Sequence, residues 1–400
     1  AQVNTDILFY TVSFLNTLMF FLNGINAQIL IPMVISIRNN ESEEKSKEFI
    51  FSIFLCYLTI GLLFSLIFSA FPDELLSVTS KFNYGAIKDN IGSIRIIVSS
   101  FVLICVNTYL LDIFNAYKAF TLPMIFDMLK NFIIVLLILV TSNTLGISSL
   151  AVGILLANII QLVILLYIAN NIFKWKVSFN IKKILESIPD KKNILYVLLS
   201  YTIMFVKSII LMYLLSGFIA GAYTALDYSQ KIYFNIFNVI VMQYTRVVGI
   251  NIMELYIKGE YDELKEKFCY YIKSCIYLIT PICTVISLNS VNIIEVLFLR
   301  GKFTYESALM TSYFLGITIF NVPLVFLNYM FTRLIIAKQL QNYTFWWHVI
   351  GDPIHLLFQW FLISRFNYLG YPVGEVTFGV LTLIGVYLLI IKDNFKFLEL

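Results

Sequence analysis

The stretch NFIIVLLILVTSNTLGISSLAVGILLANIIQLVILLYIA, residues 131–169, runs for thirty-nine positions without an Asp, Glu, Lys or Arg. A hydrocarbon core of ~30 Å takes about 20 residues of helix to cross. The stretch is therefore long enough to cross and return, turning at the uncharged Ser142-Asn143-Thr144-Leu145-Gly146. Its apolar character is continuous and does not alternate residue by residue, which indicates helices and excludes a barrel.

The rest of the chain extends this pattern. Of 400 residues, 60% are hydrophobic and 13% charged, against roughly 45–50% and about 25% in a soluble domain. A water-soluble globule of this length would lack the polar residues to cover itself. Eleven apolar spans are predicted, centred near Phe20, Leu58, Val102, Ile133, Leu156, Val206, Val239, Tyr277, Ile319, Leu357 and Leu383. The fold class is all-α, polytopic and membrane-embedded. Cys56, Cys105, Cys269, Cys275 and Cys283 stand in or beside apolar runs with no CxxC spacing, as small buried apolar residues do. The opening Ala1-Gln2-Val3 has neither an initiator Met nor a basic signal region, so the chain is expected to begin inside a longer protein.

Loop charge sets the orientation. Residues 174–192 hold six lysines against Glu186 and Asp190, and 258–273 hold four lysines among several acids, whereas 216–224 carry no charge. Lys and Arg collect on the cytoplasmic side. The loops near 40, 118, 182, 262 and 338 are thus expected inside, with Lys81, Lys88, Arg95 and Arg300-Gly301-Lys302 as basic exceptions outside. Ile181–Ile188 and Tyr261–Lys273 have the pattern of interfacial amphipathic helices.

Ionisable residues within the spans are the candidate functional groups, because a charge at the bilayer centre costs at least ~2.5–3.5 kcal/mol and needs a partner or a wet cavity. Lys207 falls mid-span and Lys231 about one third into the next span. Either both face one basic cavity suited to a phosphate or pyrophosphate, or they pair with Asp6, Asp112, Asp127 or Asp227. Asp127 and Lys130, three apart, are expected to neutralise each other. Arg246 can reach the cytoplasmic interface. His348, Asp352 and His355 share a helical face, as a proton relay or as ordinary interfacial polar residues beside Trp346, Trp347 and Trp360. No phosphate-binding loop, nucleophile elbow or catalytic dyad is present, and no metal site is expected.

Ile294-Glu295-Val296-Leu297-Phe298-Leu299-Arg300-Gly301-Lys302-Phe303-Thr304 resembles the "LLF-x-RG-x-F" segment of the MurJ/MviN lipid II flippases, and Arg333–Lys338 resembles their "R-x-FYA" run. Thr5-Asp6, Asn23-Gly24 and Ile31-Pro32 are similar to the family's second helix. Asn115–Pro123, Gln161-Leu162, Tyr228-Ser229-Gln230-Lys231 and Gly370-Tyr371-Pro372-Val373-Gly374 are similar to later segments, in order. Such proteins belong to the multidrug/oligosaccharidyl-lipid/polysaccharide exporter superfamily. The resemblance implies two lobes around a cationic cavity, with the chain covering family helices two to twelve and lacking the first and the last two. It places an N-lobe at 1–172, a cytoplasmic linker at 173–193 and a C-lobe at 194–400. The chain departs from the family at Leu18-Met19, where an arginine is usual, at Asn23 in place of Glu, and at Gln230-Lys231 in place of an Asp-Arg pair.

The function implied is transport and not catalysis. A polyprenyl-diphosphate-linked saccharide, lipid II by default, would pass from the inner to the outer leaflet of a bacterial cytoplasmic membrane by alternating access. Lys231 would contact phosphate, with Lys207 and Arg246 as further cations, and Asp6, Asn23 and Gln230 lining the cavity. A coupling cation or the membrane potential would drive it, with no other cofactor. Expected partners are the lipid-linked saccharide, membrane lipids and cell-wall synthesis proteins around a monomer, and no nucleic acid. Alternatives are another lipid-linked oligosaccharide of capsule or O-antigen type, a cation-coupled drug exporter, a non-transporting partner of the wall machinery, and a glycan-processing enzyme with outward carboxylates at Asp73-Glu74 or Glu306.

Overall fold

The computed structural model describes residues 2–117, 119, 121–173, 191–242, 248, 251–252, 255–256, 258–301, 303–337 and 341–392. The linker lysines 174–183, Arg246, Lys302 and Lys338 lie outside them, as does the predicted amphipathic segment 181–188. The chain forms two compact units, Ala1–Gly217 and Phe218–Leu400.

In the first unit, helix α1 (Gln2–Ile25) passes through a π turn (Asn26–Leu30) into α2 (Ile31–Asn40). Pro32 lacks an N–H and its ring crowds the carbonyl one turn back. The wider turn, closed by the Ile31 N–H on the Asn26 carbonyl, gives that ring room. Helix α3 (Glu43–Ala70) starts at Ser42, whose hydroxyl accepts from the Lys45 N–H, with Glu43 and Glu44 favoured in its first turn by the helix dipole. Short α4 (Pro72–Thr79) and α5 (Tyr84–Asp89) precede α6 (Ile91–Ser99), α7 (Phe101–Ala116), α8 (Thr121–Leu145), α9 (Ser149–Phe173) and α10 (Lys191–Leu215).

Helices α3 and α7 build the core of this unit. Gly61 admits the Val102 backbone, Ser65 Oγ accepts from the Val102 N–H at 2.9 Å, and the buried Tyr109 hydroxyl donates to the Ile50 carbonyl at 2.6 Å. Leu30, Val34, Ile50, Ile113, Phe114 and Leu165 fill the space around them.

Helix α10 lies along α1 and falls within the first compact unit, which ends at Gly217. Side chains explain the pairing. Gly24 leaves the slot that the Tyr201 ring fills, Gln28 Nε2 donates to the Tyr201 hydroxyl at 3.0 Å, and Phe21 and Phe205 meet at 5.7 Å. Lysine density marks a connector in the sequence, but it does not say which helix the following span will pack against.

In the second unit, α11 (Ala222–Phe237) follows Gly221, whose φ of +88° suits glycine, and ends in a π turn, Asn238–Met242. Then come α12 (Tyr261–Ser274), a π turn (Cys275–Ile279), α13 (Thr280–Leu288), α14 (Ser290–Phe298), α15 (Tyr305–Thr318), α16 (Asn321–Ala337), α17 (Gln341–Phe366) and α18 (Gly370–Lys392). The segment 261–273, expected as a separate interfacial helix, instead opens a helix that continues through the π turn to Leu288. Its apolar face, Leu264, Phe268, Tyr271 and Cys275, is buried in the core with Val322 and Phe326, while Lys267 and Glu263 pair at 2.7 Å on its other side.

Among the described residues, eight continuous helical stretches are long and apolar enough to cross a membrane. Two of them, of 52 and 44 residues, reverse at the short turns 146–148 and 367–369 and so supply two crossings each. Helix α11 and its π turn, Ala222 to Met242, add the eleventh segment. Each predicted centre falls on one of these segments, Val239 in the π turn that ends α11. Exposed Leu66, Leu139, Leu288 and Leu357 present the apolar surface that lipid requires.

Candidate functional site

Tyr228 lies at the middle of a meeting between segments far apart in sequence. Its ring stacks on Phe298 at 5.0 Å and meets the edge of Phe303 at 5.7 Å. These are the two phenylalanines of the 294–304 segment, brought to the same side by the turn at Gly301, where φ is +63°. Two residues on, and on another face of the helix, Gln230 Nε2 donates to the Tyr371 hydroxyl at 3.4 Å, which adds the 370–374 segment. Three of the segments that carried the family resemblance therefore converge on α11.

Lys231 projects from this platform. Its Nζ lies 2.7 Å from Asp227 Oδ2 one turn back and 5.4 Å from the centre of the Tyr228 ring. Of the two readings open in the sequence, pairing with Asp227 is realised. The lysine nevertheless remains 54% exposed while Asp227 is only 16% exposed. A cation anchored on one side and open on the other, over an aromatic face, can take an anionic group that approaches from the open side.

Three other candidates lie in the first unit. Lys207 is half-buried on α10, in the first unit. On α1, Asp6 is buried and Asn23 exposed. Seventeen helical residues separate those two, about 25 Å at 1.5 Å per residue, so they do not line one contact. Arg246 lies outside the described residues.

Several polar groups take the partners their spacing implied, and others do not. Asp127 and Lys130 pair at 3.4 Å. His348 Nδ1 meets Asp352 at 2.8 Å, but His355 leaves that face and approaches Glu375 on α18 at 3.3 Å. Gln359 Nε2 donates to Glu375 Oε1 at 2.8 Å and to the Tyr371 carbonyl at 3.2 Å. Gly374 makes this possible, since a Cβ there would stand 2.5 Å from Gln359 Oε1. Gln161, of the Gln161-Leu162 pair, joins Asn107 and Asn158 in a buried amide cluster and is structural. Three of the basic residues expected outside, Lys81, Lys88 and Arg95, have local contacts. Lys81 lies over the Tyr213 ring at 5.1 Å, Lys88 over Tyr84 at 4.8 Å, and Arg95 donates to the Ser69 carbonyl at 3.0 Å.

One cluster escaped the sequence reading. Asp112 accepts from Asn26 Nδ2 at 2.8 Å, and the Tyr57 hydroxyl donates to Asn26 Oδ1. Asp112 had been expected only as a counter-ion for a lysine; amides surround it instead. Asn26 stands in the π turn of α1, and such turns recur at functional sites. Pro32 beyond it was the available signal.

Known structures share this architecture. The chain aligns with a lipid II flippase MurJ in an inward closed conformation with TM-score 0.80 at 16% identity, covering 99% of this chain and 84% of that one. An inward-facing multidrug resistance MATE family transporter gives 0.73 at 12% identity, covering 98% and 91%. A MOP superfamily transporter from Pyrococcus furiosus gives 0.62 at 12%, covering 95% and 87%. At such identities these likenesses show the fold alone. No curated protein matches the sequence. The family description "Lipid II flippase MurJ" matches residues 1–399, and the chain therefore belongs to that family, as a multi-pass membrane transporter and not an enzyme.

Proposed function

We propose that this protein moves a polyprenyl-diphosphate-linked saccharide, lipid II by default, from the inner to the outer leaflet of a bacterial cytoplasmic membrane by alternating access. The observation that carries the reading is Lys231. It is a cation held by Asp227 and the Tyr228 ring yet still half exposed, in a chain that matches the flippase family from end to end. Its ammonium would meet the diphosphate. Phe298, Phe303 and Tyr228 would hold α11 in place while it does so. Lysine supplies a point charge without the planar fork with which arginine grips phosphate at two oxygens. Cargo whose glycan differs from that of lipid II, of capsule or O-antigen type, is therefore the second reading.

The membrane potential, worth ~2.3 kcal/mol per charge per 100 mV, or a coupling cation would drive the cycle. The protein would act as a monomer beside cell-wall synthesis proteins. The test is translocation in vesicles holding the purified chain, with fluorescent lipid II and a lipid-linked O-antigen unit as separate probes. Protection of either probe from an external quencher is the expected result. Movement of neither, together with drug resistance on expression, would instead support a drug exporter.

A further inference from the structure

We propose that Phe234, Asn235 and Asn238, which share the open side of α11 with Lys231, read the sugar that the cargo carries next to its diphosphate. They would make this chain select a glycosylated lipid over the bare polyprenyl diphosphate. The proposal deepens the transport reading of Lys231 and rests on it for the position of the phosphate.

Helix α11 has two unlike sides. Ala222, Ala225, Leu226 and Ser229 are buried on one of them. Ile232, Tyr233, Ile236 and Phe237 continue that side and pack against apolar clusters of the second unit. At 3.6 residues per turn these eight positions fall on one half of the helix. Lys231, Phe234, Asn235 and Asn238 fall on the other half, and all four are exposed, Phe234 to 52%.

The open side does not have the character of a surface in contact with lipid. Helix α11 and its π turn hold 16 and 5 residues, which together rise about 31 Å, enough for one crossing. Lys231 and Asn235 stand about 14 and about 20 Å from its start, in the middle of that crossing. An ammonium and an amide at this depth are costly in hydrocarbon and call for a wet cavity. On α18, by contrast, the exposed positions among the described residues are Val373, Val380, Leu381, Ile384 and Leu388. Nor are the two amides used to hold the fold. Asn26 opens the π turn of the first unit and is buried against Asp112 and Tyr57. Asn238 opens the π turn of α11 in the same way, yet is exposed. Neither it nor Asn235 has a side-chain hydrogen bond among the described residues.

The spacing suits a glycan that starts at the diphosphate. Asn235 and Asn238 lie four and seven residues beyond Lys231, about 6 and about 10 Å along the axis. In a polyprenyl-diphosphate-linked saccharide the first sugar is bonded directly to the second phosphate. With the diphosphate on Lys231, that sugar lies within a turn or two of the lysine. A side-chain amide both donates and accepts, so it can meet ring hydroxyls and acetamido groups alike. The Phe234 ring offers its electron-rich face to the C–H face of a pyranose. Tyr233, edge-on at 5.4 Å, holds that ring in place. The attraction of Lys231 for phosphate is blind to the sugar, so discrimination among cargoes falls to these three side chains.

Binding to the purified full chain, followed by native mass spectrometry, tests the proposal. The probes are a bare polyprenyl diphosphate, lipid II and a lipid-linked O-antigen unit. Wild type should prefer one of the two glycosylated lipids to the bare one. Asn235→Leu and Asn238→Leu should each narrow that preference by roughly 2–10-fold, and Phe234→Leu by a similar factor. Lys231→Ala should weaken all three lipids and keep the preference. Binding of the bare lipid reports that each variant is folded. A preference unchanged in both asparagine variants, or a wild type without one, overturns the stripe and leaves Lys231 standing as the phosphate ligand. A preference lost in the asparagine variants, with Lys231→Ala binding like wild type, keeps the stripe and removes the lysine. A wild type that binds none of the three lipids overturns both.

Discussion

Removing the Lys231 charge and removing its partner should have unequal effects, and the inequality separates structure from transport. The pair is an i, i+4 contact at 2.7 Å with the lysine 54% and the aspartate 16% exposed. Exposed pairs of this spacing contribute about 0.3–0.5 kcal/mol. In Lys231→Ala the Asp227 carboxylate is left mostly buried without its nearest cation, which adds roughly 1–3 kcal/mol. In Asp227→Asn the lysine can turn to solvent, and the loss should stay near ~0.5 kcal/mol. The double variant Asp227→Asn/Lys231→Ala removes the stranded charge and should return to within about 0.5 kcal/mol of wild type. At about 2–4 °C per kcal/mol for a unit of this size, the Lys231→Ala loss appears as roughly 3–14 °C in thermal unfolding in detergent. Growth of a flippase-depleted strain is the second assay. If Lys231 meets the cargo diphosphate, the double variant is stable yet fails to support growth, and Asp227→Asn alone supports it. Full growth on the double variant would show that Lys231 serves only to neutralise Asp227.

Gly370→Ala should be severe, about 3 kcal/mol or more, because the added Cβ meets the backbone carbonyl of Leu362, which has no rotamer to change; wild-type melting would show that the turn can open. Tyr109→Phe removes the bond to the Ile50 carbonyl at 2.6 Å between α7 and α3, and should cost about 1 kcal/mol in the first unit. An unchanged melting temperature would place that hydroxyl outside the unit's stability. Tyr228→Leu loses two ring contacts of about 0.5–1.5 kcal/mol each and should loosen the 294–304 segment, read as faster hydrogen exchange at Phe298 and Phe303.

The spans were legible because the bilayer leaves the backbone no alternative to the helix, so continuous apolar length suffices to find them. Residues 131–169 became two helices with the turn at Gly146, as their uncharged interruption implied. Tertiary pairing was far less visible. Nothing in residues 191–215 marks Tyr201 as the occupant of the space left by Gly24, so the packing of that span on α1 was not legible. Tyr261–Lys273 has an amphipathic face whether that face meets headgroups or a protein core, and here it meets Phe326 and Val322. His348, Asp352 and His355 do lie at helical spacing, but the fate of His355 was decided by Glu375 on the following helix. The family resemblance pointed to Tyr228–Lys231, Phe298–Phe303 and Tyr371 separately. Their convergence required the fold.

The π turns at 26–30 and 275–279 have a consequence for how these helices are compared and probed. Each inserts one residue into a running helix, and one residue is about 100° of rotation. The face of α1 that points inward before Asn26 is continued after Leu30 by positions out of phase with it. An ungapped alignment with a relative lacking the insertion would pair lipid-facing residues with buried ones over half a span, and identity would look lower than ancestry warrants. A cysteine-accessibility scan along α1 or α12 should accordingly show a periodic pattern that breaks once, at the π turn, and resumes a third of a turn away.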